Sequence, residues 1–300
     1  MHTAQKILMV RPAAFGFNPQ TAASNAFQHQ SQHNDLQREV LALFDQMVAQ
    51  IRAKGIDVLP IADTLEPLKP DALFPNNWFA TTLTGEICLY PMAAPNRRME
   101  VRKEVINTIA HQLGYHALID WSGRAGRGQF LEGTGSMVFD HFRGMVYAAL
   151  SERTHLDLFL EVANALGYQP HWFRTADAKN LPIYHTNVLL SIGKEAAVVC
   201  DAVIPNAAAR KLLLERLAAQ PGRQIISITL EQMHQFCGNI IEVANAKGER
   251  FWLMSQTAFR AFTPKQIQAL SQNSEILALD AGLIERVGGG GVRCMVAELF

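Results

Sequence analysis

"HTNVLLSIGKEAAVVCDAV", residues 185–203, is the stretch whose reading decides the fold. It opens on a small polar group, continues as a β-rich apolar run, turns at "GKE" and returns as a second apolar run. A glycine-containing turn between two such runs is a hairpin signal. The same form recurs on both sides of it: "NNWFATTLTGEICLYPM" from Asn76, "GTGSMVFDHFRGMVYAALS" from Gly133 and "CGNIIEVANAKGERFWLMS" from Cys237. A fifth copy, "GGVRCMVAELF" from Gly290, lacks its second strand. The early segment "KILMVRPAAF" has the character to supply that strand, which would close the five hairpins into a ring.

Between the hairpins lie segments with apolar residues at helical spacing: "SQHNDLQREVLALFDQMVAQIRAKG", with Gly55 as its stop, "RRMEVRKEVINTIAHQLGY", "RTHLDLFLEVANALGY", "AARKLLLERLAAQ" and "TPKQIQALSQ". Each is followed by a short strand: "DVLPIA", "HALIDW", "QPHWFR", "QIISIT" and "EILALD". The unit is strand–strand–helix–strand, repeating about every 50–60 residues, so the chain is α/β. Aligning the hairpins brings Asn77, Ser136, Asn187, Asn239 and Cys294 to one recurring position. In a closed ring, equivalent positions converge near the axis.

Composition narrows the function classes. The 300 residues are 49% hydrophobic and 18% charged, enough apolar material for a core. Lys+Arg 27 balances Asp+Glu 27, which gives no field to attract nucleic acid or an anionic membrane. The four cysteines, Cys88, Cys200, Cys237 and Cys294, form no CxxC pair, so metal-knuckle and thioredoxin readings fail. No secretory leader pattern and no membrane-length apolar stretch stand out, so the expectation is a soluble, cytoplasmic protein with reduced thiols. The oligomeric state stays open, a homo-oligomer among the options.

Three residues could carry chemistry. Cys294 follows four glycines in "GGGGVRCMVAELF", where Gly289 to Gly291 can take backbone angles closed to other residues and let a ligand approach. A thiolate nucleophile needs such access; a buried core cysteine beside a flexible run is the competing reading. His185 opens the third hairpin, at a hairpin mouth where a general acid–base partner for a cysteine belongs. Glu132, in "FLEGTGSMVF", is a carboxylate oddly placed for a solvated charge, suited to holding His185 protonated or to binding a substrate N–H. A turn or cap carboxylate is its ordinary alternative.

The set Glu132-Gly133, His185 and a Gly-rich stretch ending in Cys294 resembles the guanidino-group-modifying superfamily: arginine deiminases, dimethylarginine dimethylaminohydrolases and amidinotransferases. The resemblance covers essentially the whole chain. It implies a pentein-type α/β propeller, five ββαβ units around a pseudo-fivefold axis, as a single catalytic domain over 1–300. It also implies that Cys294 attacks the central carbon of the substrate group, His185 shuttles protons and Glu132 supports the charge, with no metal or organic cofactor. "YPMAAPNRRMEV" is similar to the family's "GAPSRR" segment and nominates Arg98, with Arg97 as the alternative, to bind a substrate α-carboxylate. "LSERTH" resembles "SKRTN" and nominates Arg153 for the same task. A surface ion pair is the ordinary fate of each.

The sequence departs from the family where an aspartate is usual. The first hairpin reads "FPNNWF", giving Asn77, and the third reads "HTN", giving Asn187. A guanidinium has only donors and calls for a carboxylate. A ureido group has a carbonyl acceptor and N–H donors, which an amide matches. The expected substrate is therefore a small ureido amino acid, citrulline, and the resemblance is greatest to the citrulline hydrolase branch. The rivals are an arginine deiminase, a dimethylarginine hydrolase or an amidinotransferase on the same fold, with carboxylates such as Asp140 supplying charge, and a non-catalytic amino-acid-binding propeller. The polar stretch "GFNPQTAASNAFQ", residues 16–28, is a candidate lid.

Overall fold

The five hairpin segments become the inner parts of five three-stranded sheets in the computed structural model, which describes residues 2–22, 24–25, 27–30 and 35–300. In chain order the strands are β1 (Lys6–Arg11), β2 (Asp57–Ala62), β3 (Phe79–Thr81), β4 (Glu86–Leu89), β5 (Ala117–Asp120), β6 (Val138–Asp140), β7 (Met145–Leu150), β8 (Gln169–Arg174), β9 (Leu190–Ile192), β10 (Ala196–Val199), β11 (Gln224–Ser227), β12 (Ile241–Ala244), β13 (Arg250–Ser255), β14 (Glu275–Leu279) and β15 (Ala297–Leu299). The sheets are β15-β1-β2, β3-β4-β5, β6-β7-β8, β9-β10-β11 and β12-β13-β14. In each, the inner pair is antiparallel and the outer pair parallel. A hairpin turn suffices for the first pairing, and the second needs a crossover. The helical segments supply it: Leu36–Ala53, Lys103–Leu113, Leu156–Ala165, Ala207–Ala218, and in the last unit the two pieces Gln256–Ala261 and Pro264–Leu270.

The ring closes as the sequence implies. β1 pairs antiparallel with β15, Leu8 opposite Ala297, so the two ends of the chain share one sheet. The inner strands β15 and β3, β6 and β9, and β9 and β12 are neighbours around the axis. The turn at 133–136 joins β3, and the turn at 292–295 joins β13. This is the pentein arrangement of five ββαβ units about a pseudo-fivefold axis.

The core lies between sheets and helices. The helix over Leu36–Ala53 buries Val40, Phe44, Met47, Val48 and Ile51, a single stripe at helical spacing. Truncating Phe44 to alanine there costs about 3–5 kcal/mol. The middle strands β7 and β10 are buried at every position, and each reads as an unbroken apolar run because a helix covers one face and the ring the other. The outer strands meet solvent, leaving Leu118 and Trp172 exposed.

Two expectations need adjusting. Residues 31–34, read as the start of the first helix, lie outside the described residues. The glycine run is not an open hairpin mouth. A short helix, Gly282–Gly288, ends in it, and residues 287–295 are buried. Among the described residues, no helix is long and apolar enough to cross a membrane.

Candidate active site

The recurring position found in the hairpins is structurally real. Each inner strand is entered through a tight turn: Pro75–Asn77 before β3, Gly133–Ser136 before β6, Thr186–Val188 before β9, Gly238-Asn239 before β12 and Val292–Met295 before β15. The turn at 133–136 touches those at 75–77 and 186–188, and the turn at 75–77 touches that at 292–295. Residues far apart in sequence thereby meet at one end of the axis. Gly135 shows how tight the meeting is. A Cβ there would lie 2.3 Å from Asn77 Nδ2 and 2.8 Å from His185 Nδ1.

Glu132, His185 and Cys294 all come to this end. Glu132 is fully buried. Its Oε2 lies 2.7 Å from His185 Nε2 and 3.4 Å from Arg153 Nη1, and its Oε1 accepts the Ala93 N–H at 2.9 Å. Burial alone would raise this carboxyl, but the Arg153 guanidinium, His185 and Arg97 overcome it and hold it well below the usual carboxylate range. Burial pushes His185 down to about 4 against the upward pull of Glu132. That direction favours the neutral imidazole, and of the two roles the sequence offered Glu132 it speaks against holding His185 protonated. Cys294 is also buried, and its thiol is raised by that burial. Among the described residues, the sulfur's hydrogen-bond partners are amides: it accepts from Asn239 Nδ2 at 3.3 Å and Asn187 Nδ2 at 3.7 Å, and the thiol donates to Asn239 Oδ1 at 3.6 Å.

The arginines separate cleanly. Arg97 faces the site. Its Nε and Nη2 fork onto Glu100 at 2.8 and 2.9 Å, and its Nη1 donates to Asn77 Oδ1 at 2.8 Å. Arg98, the first choice from sequence, is exposed and turned away, donating to the Met92 and Ala93 carbonyls with its guanidinium over Phe130. In a tight turn, neighbouring residues point to different sides, and only the first of the pair points at the axis. Arg153 is present, 4.9 Å over the Tyr184 ring. Its Nε reaches Ser24 Oγ at 3.1 Å and its Nη2 the Thr21 carbonyl at 3.1 Å, tying down the segment read as a lid. Positions 23 and 26 of that segment lie outside the described residues.

Asn187 does not line the pocket as a substrate contact; it lies against the sulfur. Asp140 is elsewhere, in a fully buried ion pair with Arg223. The carboxylate that sequence reading missed is Asp71. It lines the pocket beside Arg97 (3.8 Å), with Oδ2 accepting from Asn18 Nδ2 at 2.7 Å and Thr21 Oγ1 at 3.2 Å. Its Oδ1 is buried and has no partner among the described residues. Burial raises Asp71 against the pull of Arg97. The signal was present in "PDALFPNN": a carboxylate in an apolar stretch just before a hairpin mouth, as Glu132 is.

The pocket is bounded by Thr21, Asp71, Asn77, Arg153, His185 and Cys294 among others, and its cavity of about 20 Å3 has room for about one water. Among the described residues, no cluster of metal-ligating side chains occurs.

Comparisons with known proteins agree with this architecture. Residues 11–300 match the family described as N,N dimethylarginine dimethylhydrolase, eukaryotic. No curated protein matches by sequence. Among solved structures, ArgZ, an arginine dihydrolase from the ornithine-ammonia cycle in cyanobacteria, superposes with a TM-score of 0.76 at 15% identity, covering 97% of this chain and 40% of that one. This chain thus spans about two-fifths of the length of whole ArgZ. The N-terminal domain of ArgZ, holding a covalently bound reaction intermediate, gives a TM-score of 0.76 at 15% identity, with 98% of this chain and 97% of that one covered. A dimethylarginine dimethylaminohydrolase adduct with 4-chloro-2-hydroxymethylpyridine gives 0.66 at 14% identity, covering 99% and 100%. Identities this low speak for the fold alone.

Proposed function

The chain belongs to the N,N dimethylarginine dimethylhydrolase family, within the guanidino-group-modifying pentein superfamily, and on that premise we propose that residues 1–300 act as a single catalytic domain that hydrolyses citrulline to ornithine, carbon dioxide and ammonia. One observation carries the choice of substrate. Arg97 has only donors, so Asn77 must turn its Oδ1 toward it, at 2.8 Å. The Asn77 Nδ2 is then left buried in the wall of the pocket, with no partner among the described residues. A free donor there repels a guanidinium, which is all donors, and welcomes a ureido carbonyl.

The reaction follows from the placement of the groups. Asp71 Oδ1 takes the substrate ammonium, and Arg153 takes the α-carboxylate in exchange for its contacts to residues 21 and 24. The Asn77 amide donates to the ureido oxygen and continues to do so as negative charge builds on it. The Cys294 thiol gives its proton to neutral His185, and the sulfur bonds to the ureido carbon. The C–N bond to the side chain breaks as His185, steadied by Glu132, passes that proton to the departing nitrogen. Ornithine leaves, and a carbamoyl thioester remains on Cys294. Water adds to it, the S–C bond breaks, and the thiol regains a proton. The carbamate released decomposes to carbon dioxide and ammonia.

A second reading has its own observation. The unpartnered Asp71 Oδ1 is an acceptor that a guanidinium could use, which favours arginine or a methylated arginine as substrate. Supplying citrulline, arginine and dimethylarginine side by side to the purified protein, and scoring amino-acid product and ammonia, separates the two. Ornithine with one ammonia from citrulline alone supports the amide match. Citrulline, or ornithine with two ammonias, from arginine discards it. Asn77→Asp sharpens the result: intact citrulline turnover with no gain on arginine would mean that the amide does not choose the substrate.

A further inference from the structure

The Asn239 amide is held in one orientation. Its Nδ2 carries two hydrogens, and one goes to the Asn187 main-chain carbonyl at 2.9 Å, an atom that can only accept. The other is then free for Cys294 Sγ, 3.3 Å away and nearer than Asn239 Oδ1, to which the neutral thiol donates at 3.6 Å. The main chain of Asn239 is fixed as well. Its N–H donates to the Phe236 carbonyl at 2.9 Å, and its carbonyl accepts the Arg293 N–H at 3.4 Å. The chain just before the cysteine is fitted to this amide, since a Cβ on Gly291 would lie 2.8 Å from Asn239 Oδ1. The last glycine of the run therefore makes room for a side chain that faces the sulfur.

From this geometry we infer that Asn239 is a positioning residue for the nucleophile, holding the Cys294 sulfur in place and favouring its anionic form through an N–H donor. The inference rests on Cys294 being the nucleophile. Amide N–H groups stabilise an anion and gain little from a neutral thiol. The charged and titratable groups that share the pocket with the sulfur are Arg97, Arg153, Asp71, His185 and Tyr184, with Arg293 on the sulfur's own turn. Burial raises the thiol. Of the groups that oppose it Asn239 acts most strongly, ahead of Arg293, Asn187 and Arg97.

The test is a pH titration of thiolate absorbance on the whole protein without substrate. The native chain, Asn239→Ala and the nearly isosteric Asn239→Asp are each compared with the same chain carrying Cys294→Ala. The subtraction removes Cys88, Cys200 and Cys237, which burial pushes up to about 12, 11 and 12. In both variants the Cys294 midpoint moves upward, and with alanine the thiolate fraction at a fixed pH below it falls about tenfold, the loss of one charge-assisted hydrogen bond. With turnover as a second readout, kcat falls and KM changes little. A midpoint that stays put in either variant while its thermal melt remains cooperative overturns the inference, and if alanine does not fold the aspartate variant decides. Because no substrate is added, a shifted midpoint in a protein inert toward citrulline would retain the role of Asn239 and discard only the substrate.

Discussion

Cys237 and Cys294 are both buried, both free and both in hairpin segments of the same repeat, one unit apart. Their neighbours are opposite in kind. The Cys237 thiol donates to the Ala258 carbonyl at 3.5 Å, an acceptor that favours the protonated form, and burial holds it at about 12. The Cys294 sulfur is faced by two amide donors and by one more distant acceptor, Asn239 Oδ1 at 3.6 Å, beside a pocket where Asn77 Nδ2 and Asp71 Oδ1 have no partner among the described residues. The difference teaches that burial does not separate a structural cysteine from a proposed nucleophile. The N–H donors around the sulfur do, together with polar atoms left over for a ligand.

The largest effect that would sharpen this contrast is on turnover. Cys294→Ala is expected to lower ornithine formation by about 10^4-fold or more, the usual scale for removing a nucleophile. Equal losses from Cys294→Ala and Cys237→Ala would break the comparison. Next comes Glu132→Gln, which keeps the shape and removes the charge that orients His185; kcat should fall about 10^2–10^4-fold, measured at saturating substrate. Arg97→Ala strands Glu100 in a buried site and is expected to cost about 3–5 kcal/mol in a denaturant melt.

The pH dependence of stability is smaller and has a definite sign. His185 is depressed to about 4 when folded, and in the unfolded chain it returns to the ordinary value of 6.5. Between these values the unfolded chain binds a proton that the folded one does not, so stability falls as pH drops from 6.5 toward 4. At pH 5 this amounts to about 2 kcal/mol. Urea midpoints at pH 7 and pH 5 should show that loss in the native protein, and a smaller loss in His185→Gln. The smallest effects are expected at Cys237→Ala, with turnover within about twofold and a stability cost of about 1–2 kcal/mol, and at Arg98→Ala, within about 0.5 kcal/mol. A large loss of citrulline turnover in Arg98→Ala would overturn the division between the two arginines.

Much of this was legible in the chain. The glycine turns and β-rich runs marked the five hairpins, the helical stripes marked the crossovers, and "KILMVR" was recognisable as the strand that completes the fifth sheet. Glu132, His185 and Cys294 stood out as polar or reactive residues at hairpin mouths. Asp71 did not, although it precedes a hairpin mouth as Glu132 does, because what makes it a pocket group is its closeness to Arg97, Asn18 and Thr21, all distant in sequence. Asn239 was visible only as a member of a repeat. Its contact with the sulfur joins residues 55 positions apart.

The sequence by itself determined the repeat, the α/β class and the residues at the recurring hairpin position. These are encoded locally, in turn chemistry, periodicity and residue type. Only the tertiary structure decided that Arg97 and not Arg98 points inward, that Asn77 Nδ2 has no partner among the described residues, and that the Cys294 sulfur hydrogen-bonds to amides. Each depends on which hydrogen bonds remain open after the ring has closed. That depends on partners brought together from different units, and no local stretch contains them.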